Sequence, residues 1–486
     1  MPATEHEAAV RAAVSKLFGR DMAYVAAWAA QVVLTALMTP ALTRLMPTSQ
    51  YGTAMAATAV MQIQYVILGF GLSTGTQRAF AQESEDLARR VVAVAALLAV
   101  AGGAAFYWTG HWWAPLIGAA RFSLPFRYAT IWAVLSALTT TPLGLVRARD
   151  QLRWFIAVSL AQTVFAQLLA VMFVVIDHGS SSGYMLGEVA GQVTAATVVL
   201  SVARPKWIGR AFGTALTTTV RFSLALVPAA IAGFVIGDSD RIIVKSELGA
   251  TALGRYAVAA NVGGFVALGL GALAGIWISR LFAIEDKRVL YDVVGRGRDG
   301  LGQLAAGAAL ALAAAAPILL ELWCPPRYRP DSLLLVATLV AVQAVPTAIG
   351  EVYTQTMLVH GRAKTVAAFS VATATLNILL NLLLIPAFGI NGSAAASLID
   401  LTCWALLYHA VLGRDRPPLR LRSVLLVAAA VALSIASANI APSGWMLAAR
   451  LVVAVTALAF CAVLLLSLVA PDRHAQLRGR LPWVTV

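Results

Sequence analysis

The 486 residues are 60% hydrophobic and only 12% charged, with a mean hydropathy of +0.80. So little charge excludes a water-exposed domain of any size. The net charge of +14 would suit a nucleic-acid partner only if the basic residues formed a stripe or patch, and they do not. They fall in short segments between apolar runs.

Residues 1–20 mix Glu5, Glu7, Arg11, Lys16 and Arg20 with alanines. They have no apolar core and no small-residue cleavage site, so an amphipathic interfacial segment is expected there rather than a signal peptide. Fourteen Ala/Leu/Val-rich stretches follow, each near the ~20 residues that a helix needs to cross about 30 Å of hydrocarbon. We number them span 1 (21–43), span 2 (53–72), span 3 (91–108), span 4 (128–146), span 5 (155–176), span 6 (183–203) and span 7 (222–240). Span 8 (256–279), span 9 (301–323), span 10 (332–358), span 11 (365–387), span 12 (391–411), span 13 (423–440) and span 14 (446–470) complete the series. The expected class is an all-α integral membrane protein with 14 transmembrane helices.

Counted with the N-terminus on one side, Lys plus Arg divide 27 to 9 between the two faces. That asymmetry is the positive-inside bias, and it places both termini in the cytoplasm. The charge is therefore topogenic and no nucleic-acid partner is expected. Trp108, Trp112 and Trp113, in the longest outer loop, read as an interfacial aromatic belt. Cys324, Cys403 and Cys461 show no ligand or disulfide spacing, and their expected role is buried packing. Gly183, Gly187 and Gly191, spaced by four, predict close packing of span 6 on a neighbour. Pro142, Pro228, Pro346 and Pro386 are expected to kink their helices.

The chain also echoes itself. Leu45-Met46-Pro47-Thr48-Ser49-Gln50-Tyr51-Gly52 after span 1 resembles Leu248-Gly249 to Tyr256-Ala257 after span 7, and the two tyrosines are 205 residues apart. Thr163 and Gln167 in span 5 echo Asn377 and Asn381 in span 11 at an offset of 214. Six spans separate equivalent positions, so the halves share one orientation, a recurrent transporter plan. The expected organisation is an N-lobe at 21–212, a C-lobe at 213–412, an appended pair of helices at 413–472 and a cytoplasmic tail at 473–486.

Ionisable groups at membrane depth are costly and commonly line a cavity. Glu188 in span 6, Glu351 in span 10 and Asp400 in span 12 are such groups, with Asp238, Asp240 and Arg241 near the outer end of span 7. Asn377 and Asn381 lie on one face of span 11, and Ser393, Ser397 and Asp400 on one face of span 12. The turn between these spans is short, so they are antiparallel neighbours. Counting about 1.5 Å per residue from it sets Asn381 level with Ser397 and Asn377 level with Asp400. An oxygen-rich spot of this kind suits a hard cation, by analogy with other oxygen-ligand sites. Structural polar packing is the other reading.

The run from Leu376 to Ser397, with Asn377, Asn381, Pro386, Gly389 and Gly392, resembles bacterial polysaccharide-assembly flippases. These belong to the multidrug/oligosaccharidyl-lipid/polysaccharide (MOP) exporter superfamily. Leu45 to Gly52, Asp240-Arg241-Ile242-Ile243 and Arg147-Ala148-Arg149 with Phe155 agree in their expected order. The resemblance implies two six-helix lobes around a central cavity, working by alternating access on an undecaprenyl-pyrophosphate-linked oligosaccharide. A glycan polymerase and other polysaccharide-assembly proteins would be partners, alongside the lipid bilayer.

In the related lipid II flippases, residues of helices 7, 11 and 12 converge on a cation. The likeness assigns Asn377, Asn381 and Ser397 to that position, with Asp238 or Asp240 from span 7 and Asp400 beside them. Asn381 stands where an acid would strengthen the site. No cofactor is expected beyond coupling to Na⁺ or H⁺. Pyrophosphate calls for arginines, whose planar fork donates paired hydrogen bonds. Arg78, Arg147 and Arg280 are the candidates at the inner ends of spans 2, 4 and 8, with Glu351 as a further cavity charge; a topogenic loop role competes for each. Span 1 carries Gln31 where lipid II flippases carry arginines, which favours another glycan. No Gly-Lys-Ser/Thr phosphate loop is present, and no large outer loop carries paired acids, so neither an ATP-driven pump nor an enzyme is expected. A cation-coupled drug exporter of the same superfamily is the competing function.

Overall fold

The structure is a computed structural model that describes residues 37–207, 213–281, 287–413, 419–440 and 444–469. Within these, side chains are described except at 271–281, 287–290, 292, 293 and 466–469. Expectations for residues 1–20, for most of span 1 with Gln31, and for the tail at 473–486 lie outside the described residues.

In hydrocarbon each backbone N–H and C=O must be bonded within its own segment, so apolar runs become helices. Twelve stretches of the described residues are long and apolar enough to cross a membrane. One of them, Thr214–Leu270, is 57 residues long and holds both span 7 and span 8. The two meet at Gly249, where φ is 83° and ψ 173°, a backbone state open to glycine and strained for other residues. Thirteen of the fourteen spans are thus seen directly, and the end of span 1 is helical at 37–45.

Helix ends run beyond the apolar windows. Span 3 begins at Glu85, where the Ser84 hydroxyl accepts from the Leu87 N–H and Glu85 and Asp86 face the positive end of the helix dipole. Span 9 begins at Lys287, fourteen residues before its apolar window, so Arg298 and Asp299 are helical rather than loop residues. Span 2 breaks at Phe70 and Gly71 and continues as a second helix, Leu72–Gln82, which carries Arg78. Within the spans, threonine hydroxyls return to the carbonyl four residues back, as Thr76, Thr130 and Thr356 do. Hydroxyls thereby enter the membrane already satisfied.

The chain divides into two compact units, Met1–Phe234 and Val235–Val486. In the first, span 6 packs on spans 4 and 5, and span 4 packs on span 2. The spans 5 and 6 approach at backbone distance. A Cβ built on Gly187 would lie 2.3 Å from Ala170 Cα, and one on Gly191 2.3 Å from Ala166 Cα. Span 5 itself carries a π turn at Ala161–Phe165, which shifts the register of the residues that follow. Charged side chains staple the ends of this unit: Arg149 donates to the carbonyls of Val202 and Ala203 and to Glu85 at 2.6 Å, and Lys206 pairs with Asp86 at 2.5 Å.

In the second unit, span 10 packs on spans 9 and 12, and span 11 on span 12. Spans 13 and 14 both pack on span 9. The turn between spans 11 and 12 is a single residue, Gly389, at φ 62°. Span 11 shows the partition a membrane helix needs: Asn377 and Asn381 are fully buried, whereas Leu383 on the opposite face is 69% exposed. That exposed face meets lipid rather than water.

The glycine contact carries a direct expectation. Gly187→Val forces spans 5 and 6 apart and should cost about 1–3 kcal/mol, read as a lower unfolding temperature in detergent. Gly264→Val, whose Cβ would meet nothing within 4 Å, should leave that temperature unchanged.

Candidate functional site

Polar side chains of spans 7, 8, 11 and 12 meet within the second unit. Asn377 Nδ2 donates to Asp400 Oδ2 at 3.3 Å, and Asn381 Nδ2 donates to Asn377 Oδ1 at 3.1 Å. Ser393 Oγ donates to Asn381 Oδ1 at 3.0 Å. Span 7 contributes Ser239, whose hydroxyl lies 3.3 Å from Asn377 Oδ1. The Tyr256 hydroxyl of span 8 donates to Asp240 and also reaches Ser393. Asn377, Asn381, Ser393 and Asp400 are all inaccessible to solvent.

The sequence placed most of these residues together, and the structure changes the details. Asn377 does meet Asp400. Asn381 meets Ser393, one turn nearer the connection than Ser397, because side chains of adjacent helices interleave rather than face each other at equal rises. Ser397 is buried and takes no part in the network. The span 7 contact is Ser239 rather than either acid: Asp238 pairs with Arg241 at 3.2 Å, and Asp240 is held by Tyr256 and the Arg241 N–H. Ser239 gave no signal in the sequence, since a lone serine between two acids is easily passed over.

One atom of the group stands out. Asp400 Oδ1 is buried and has no hydrogen-bond partner among the described residues. Asn377 Oδ1 and Asn381 Oδ1 already accept bonds, so the single open acceptor of the cluster belongs to the carboxyl. The chemistry of that oxygen suits a proton or a small cation. The set fits one small charge at Asp400 better than a cage of many oxygens, and no group of three His, Cys, Asp or Glu residues occurs among the described residues.

The first unit contains the counterpart. Gln167 Nε2 donates to Glu188 Oε1 at 2.6 Å and lies 3.3 Å from the Tyr184 hydroxyl, which is bonded to the same carboxyl. Glu188 is 2% exposed and Tyr184 4%. Both units therefore hold a buried amide–carboxyl pair across one hairpin, spans 5 and 6 or spans 11 and 12. The offset between Glu188 and Asp400 is 212 residues, a signal that the sequence carried beside the 205 and 214 already noted. The two differ in one respect, since the Glu188 carboxyl is closed by partners and the Asp400 carboxyl is not.

The predicted cavity charges are not brought into one cluster. Arg78 is exposed, its Nε bonded to Gln82 at 2.8 Å and its guanidinium 4.4 Å above the Phe222 ring. Arg147 is exposed at the end of span 4, whereas Arg149 makes the structural staple. Glu351 is half-buried and accepts from Gln355 at 2.6 Å. The Arg280 side chain lies outside the described residues.

Solved structures share this fold. The lipid II flippase MurJ in an inward closed conformation matches with a TM-score of 0.69 and 9% identity, over 90% of this chain and 98% of that one. An inward-facing multidrug resistance MATE family transporter of the MOP superfamily matches at 0.60 and 13%, over 82% and 95%. A mutant of the Vibrio cholerae MATE transporter VcmN matches at 0.56 and 15%, over 81% and 97%. The fold is the one these structures share. Residues 41–274 match a family model described as polysaccharide biosynthesis protein. That match bears out the likeness read from the sequence, and it does so in a part of the chain that excludes spans 11 and 12. No curated protein matches the chain significantly.

Removing one partner of the first-unit pair should be worse than removing both. Gln167→Leu strands the Glu188 carboxyl and should lower stability by about 1–3 kcal/mol. The triple variant Gln167→Leu/Glu188→Leu/Tyr184→Phe, which also removes the hydroxyl bonded to that carboxyl, should recover most of that loss, measured by thermal unfolding of the purified protein.

Proposed function

We propose that the protein flips an undecaprenyl-pyrophosphate-linked oligosaccharide, the precursor of a cell-surface polysaccharide, from the inner to the outer leaflet of the bacterial cytoplasmic membrane. The observation that carries this reading is the match of residues 41–274 to a polysaccharide biosynthesis family, joined to a transporter fold. Coverage agrees with it: the MATE matches leave 13–19% of this chain uncovered where the MurJ match leaves 10%. The 27-to-9 charge bias supports an orientation with both termini in the cytoplasm. A glycan polymerase on the outer face would receive the product. The role is transport by alternating access, without chemistry on the sugar.

Among the arginines, Arg78 is best prepared for pyrophosphate. Stacking on Phe222 fixes its plane, and its two terminal nitrogens have no hydrogen-bond partner among the described residues. Such a fork meets two phosphate oxygens at once. Asp400 is the proposed coupling residue, because its open carboxyl oxygen is the one position in the buried cluster that a Na⁺ or H⁺ would satisfy. Binding there would change the charge shared by spans 7, 11 and 12 and so bias the second unit between two arrangements.

In a strain without a redundant flippase, depletion should trap lipid-linked oligosaccharide in the inner leaflet, read by its inaccessibility to an external glycosidase. A normal outer-leaflet pool, or altered drug susceptibility with no trapped lipid, would overturn the proposal and favour a drug exporter. Arg78→Gln should slow flipping by about 10- to 100-fold, the loss of a charged hydrogen-bond pair. Asp400→Asn should fold normally and transport without response to the cation gradient. Choline replacing Na⁺, and a protonophore, separate the two ions in the native protein; indifference to both would remove the coupling role.

A further inference from the structure

The second unit carries more positive charge on one face than topology calls for. Nine Lys and Arg lie on the side that the charge bias assigns to the outside. Five of them, Arg241, Lys245, Arg255, Arg327 and Arg329, fall in two connections, between spans 7 and 8 and between spans 9 and 10. The positive-inside rule keeps that side poor in cations, so it does not account for such a concentration. The two connections touch. Arg255, at the start of span 8, donates from Nε to the Tyr328 carbonyl at 3.2 Å and from Nη2 to the Ser332 hydroxyl.

Two of the five stand apart from the rest. Arg241 is neutralised by Asp238, whereas neither Arg255 nor Arg329 pairs with an acid among the described residues, although Glu247, Glu321 and Asp331 are exposed nearby in the chain. The charge that bears on Arg255 is the like charge of Arg329. Arg149 shows the contrast: it too donates to loop carbonyls, but Glu85 at 2.6 Å balances it. The Arg329 guanidinium is exposed and has no hydrogen-bond partner among the described residues. Its backbone, however, is fixed. Tyr328 before it is fully buried, and Pro326 and Pro330 lock φ on either side. Arg329 itself holds φ 54° and ψ 65°, a state uncommon outside glycine, and the Ser332 hydroxyl donates to its carbonyl at 2.6 Å. One hydroxyl thus ties both arginines together, accepting from Arg255 and donating to Arg329.

Two like charges held side by side repel each other, and an anion between them turns that repulsion into two attractions. A carboxylate has two coplanar oxygens and fills one guanidinium fork. A phosphate group presents its oxygens tetrahedrally, so it can meet two forks from different directions. The geometry points to a phosphate-binding clamp on the outer face of the second unit, formed by the Arg329 fork and the remaining nitrogen of Arg255, Nη1. It is separate from Arg78 and from the buried Asp400 cluster. The phosphate could come from the pyrophosphate of a lipid-linked molecule or from the headgroup of an ordinary outer-leaflet lipid. Only the first source rests on the proposed cargo.

The test is modification of the delipidated full-length protein by phenylglyoxal, which attacks accessible arginines, with each site read by peptide mass spectrometry. Saturating inorganic pyrophosphate should slow the modification of Arg329 about tenfold and leave Arg121, exposed on another outer loop, unaffected. Arg255→Gln should raise the pyrophosphate concentration needed for that protection about tenfold. Should the variant fail to fold, because Arg255 ties two loops, the comparison of Arg329 with Arg121 in the native protein still decides. Protection by undecaprenyl pyrophosphate at lower concentration than by phosphatidylglycerol gives the clamp to a lipid-linked pyrophosphate. The reverse order gives it to a headgroup phosphate, and the cargo then stands or falls on the depletion experiment alone. Modification of Arg329 at the same rate with and without pyrophosphate would overturn the proposal. So would equal protection of Arg121, which is general screening, or equal protection of Arg329 by acetate.

Discussion

No water reaches the hydrocarbon core, so any polar group carried into it must find its partner inside the protein. Everything distinctive in this structure follows from that constraint. The backbone meets it by forming helices through every described span. Threonine hydroxyls such as those of Thr76, Thr130 and Thr356 meet it by bonding back to their own helix. The long polar side chains cannot do so, and they are the groups that bring particular helices together.

That is why the two hairpins, spans 5 and 6 and spans 11 and 12, matter to both units. Each is closed by helix backbones at contact distance, through Gly187 and Gly191 in one and through Gly392 against the Leu384 carbonyl in the other. Each buries an amide against a carboxyl, Gln167 with Glu188 and Asn377 with Asp400. The close approach of the backbones is what lets such short side chains meet. The same arrangement occurs in both units and differs at one point. Tyr184 completes the Glu188 carboxyl, whereas Asp400 keeps an acceptor open, and with it a place for a mobile charge.

Much of this was legible beforehand, for a reason. Hydrocarbon selects apolar runs so strongly that composition alone marks the spans, and thirteen of them appear where expected. Asn377, Asn381 and Asp400 could be brought together because a one-residue turn leaves two antiparallel helices little freedom of register. Ser239 and Tyr256 could not, because they reach the site from spans distant in sequence. Arg298 and Asp299 fall outside the apolar window of span 9, since an apolar window ends where charge begins while the helix does not. The arginines were the weakest expectation: charge in a loop serves topology, stapling or binding equally well, and Arg149 proved to be a staple where Arg147 was the residue singled out.

By itself the sequence determined the class and marked the spans, because these depend on the transfer of side chains between water and hydrocarbon, a property of each residue alone. Only the tertiary structure decided which polar atoms are satisfied. The open oxygen of Asp400 is visible only once every neighbouring donor has been placed, since satisfaction is a property of pairs, and one member of that cluster, Ser239, reaches it from a helix distant in the chain.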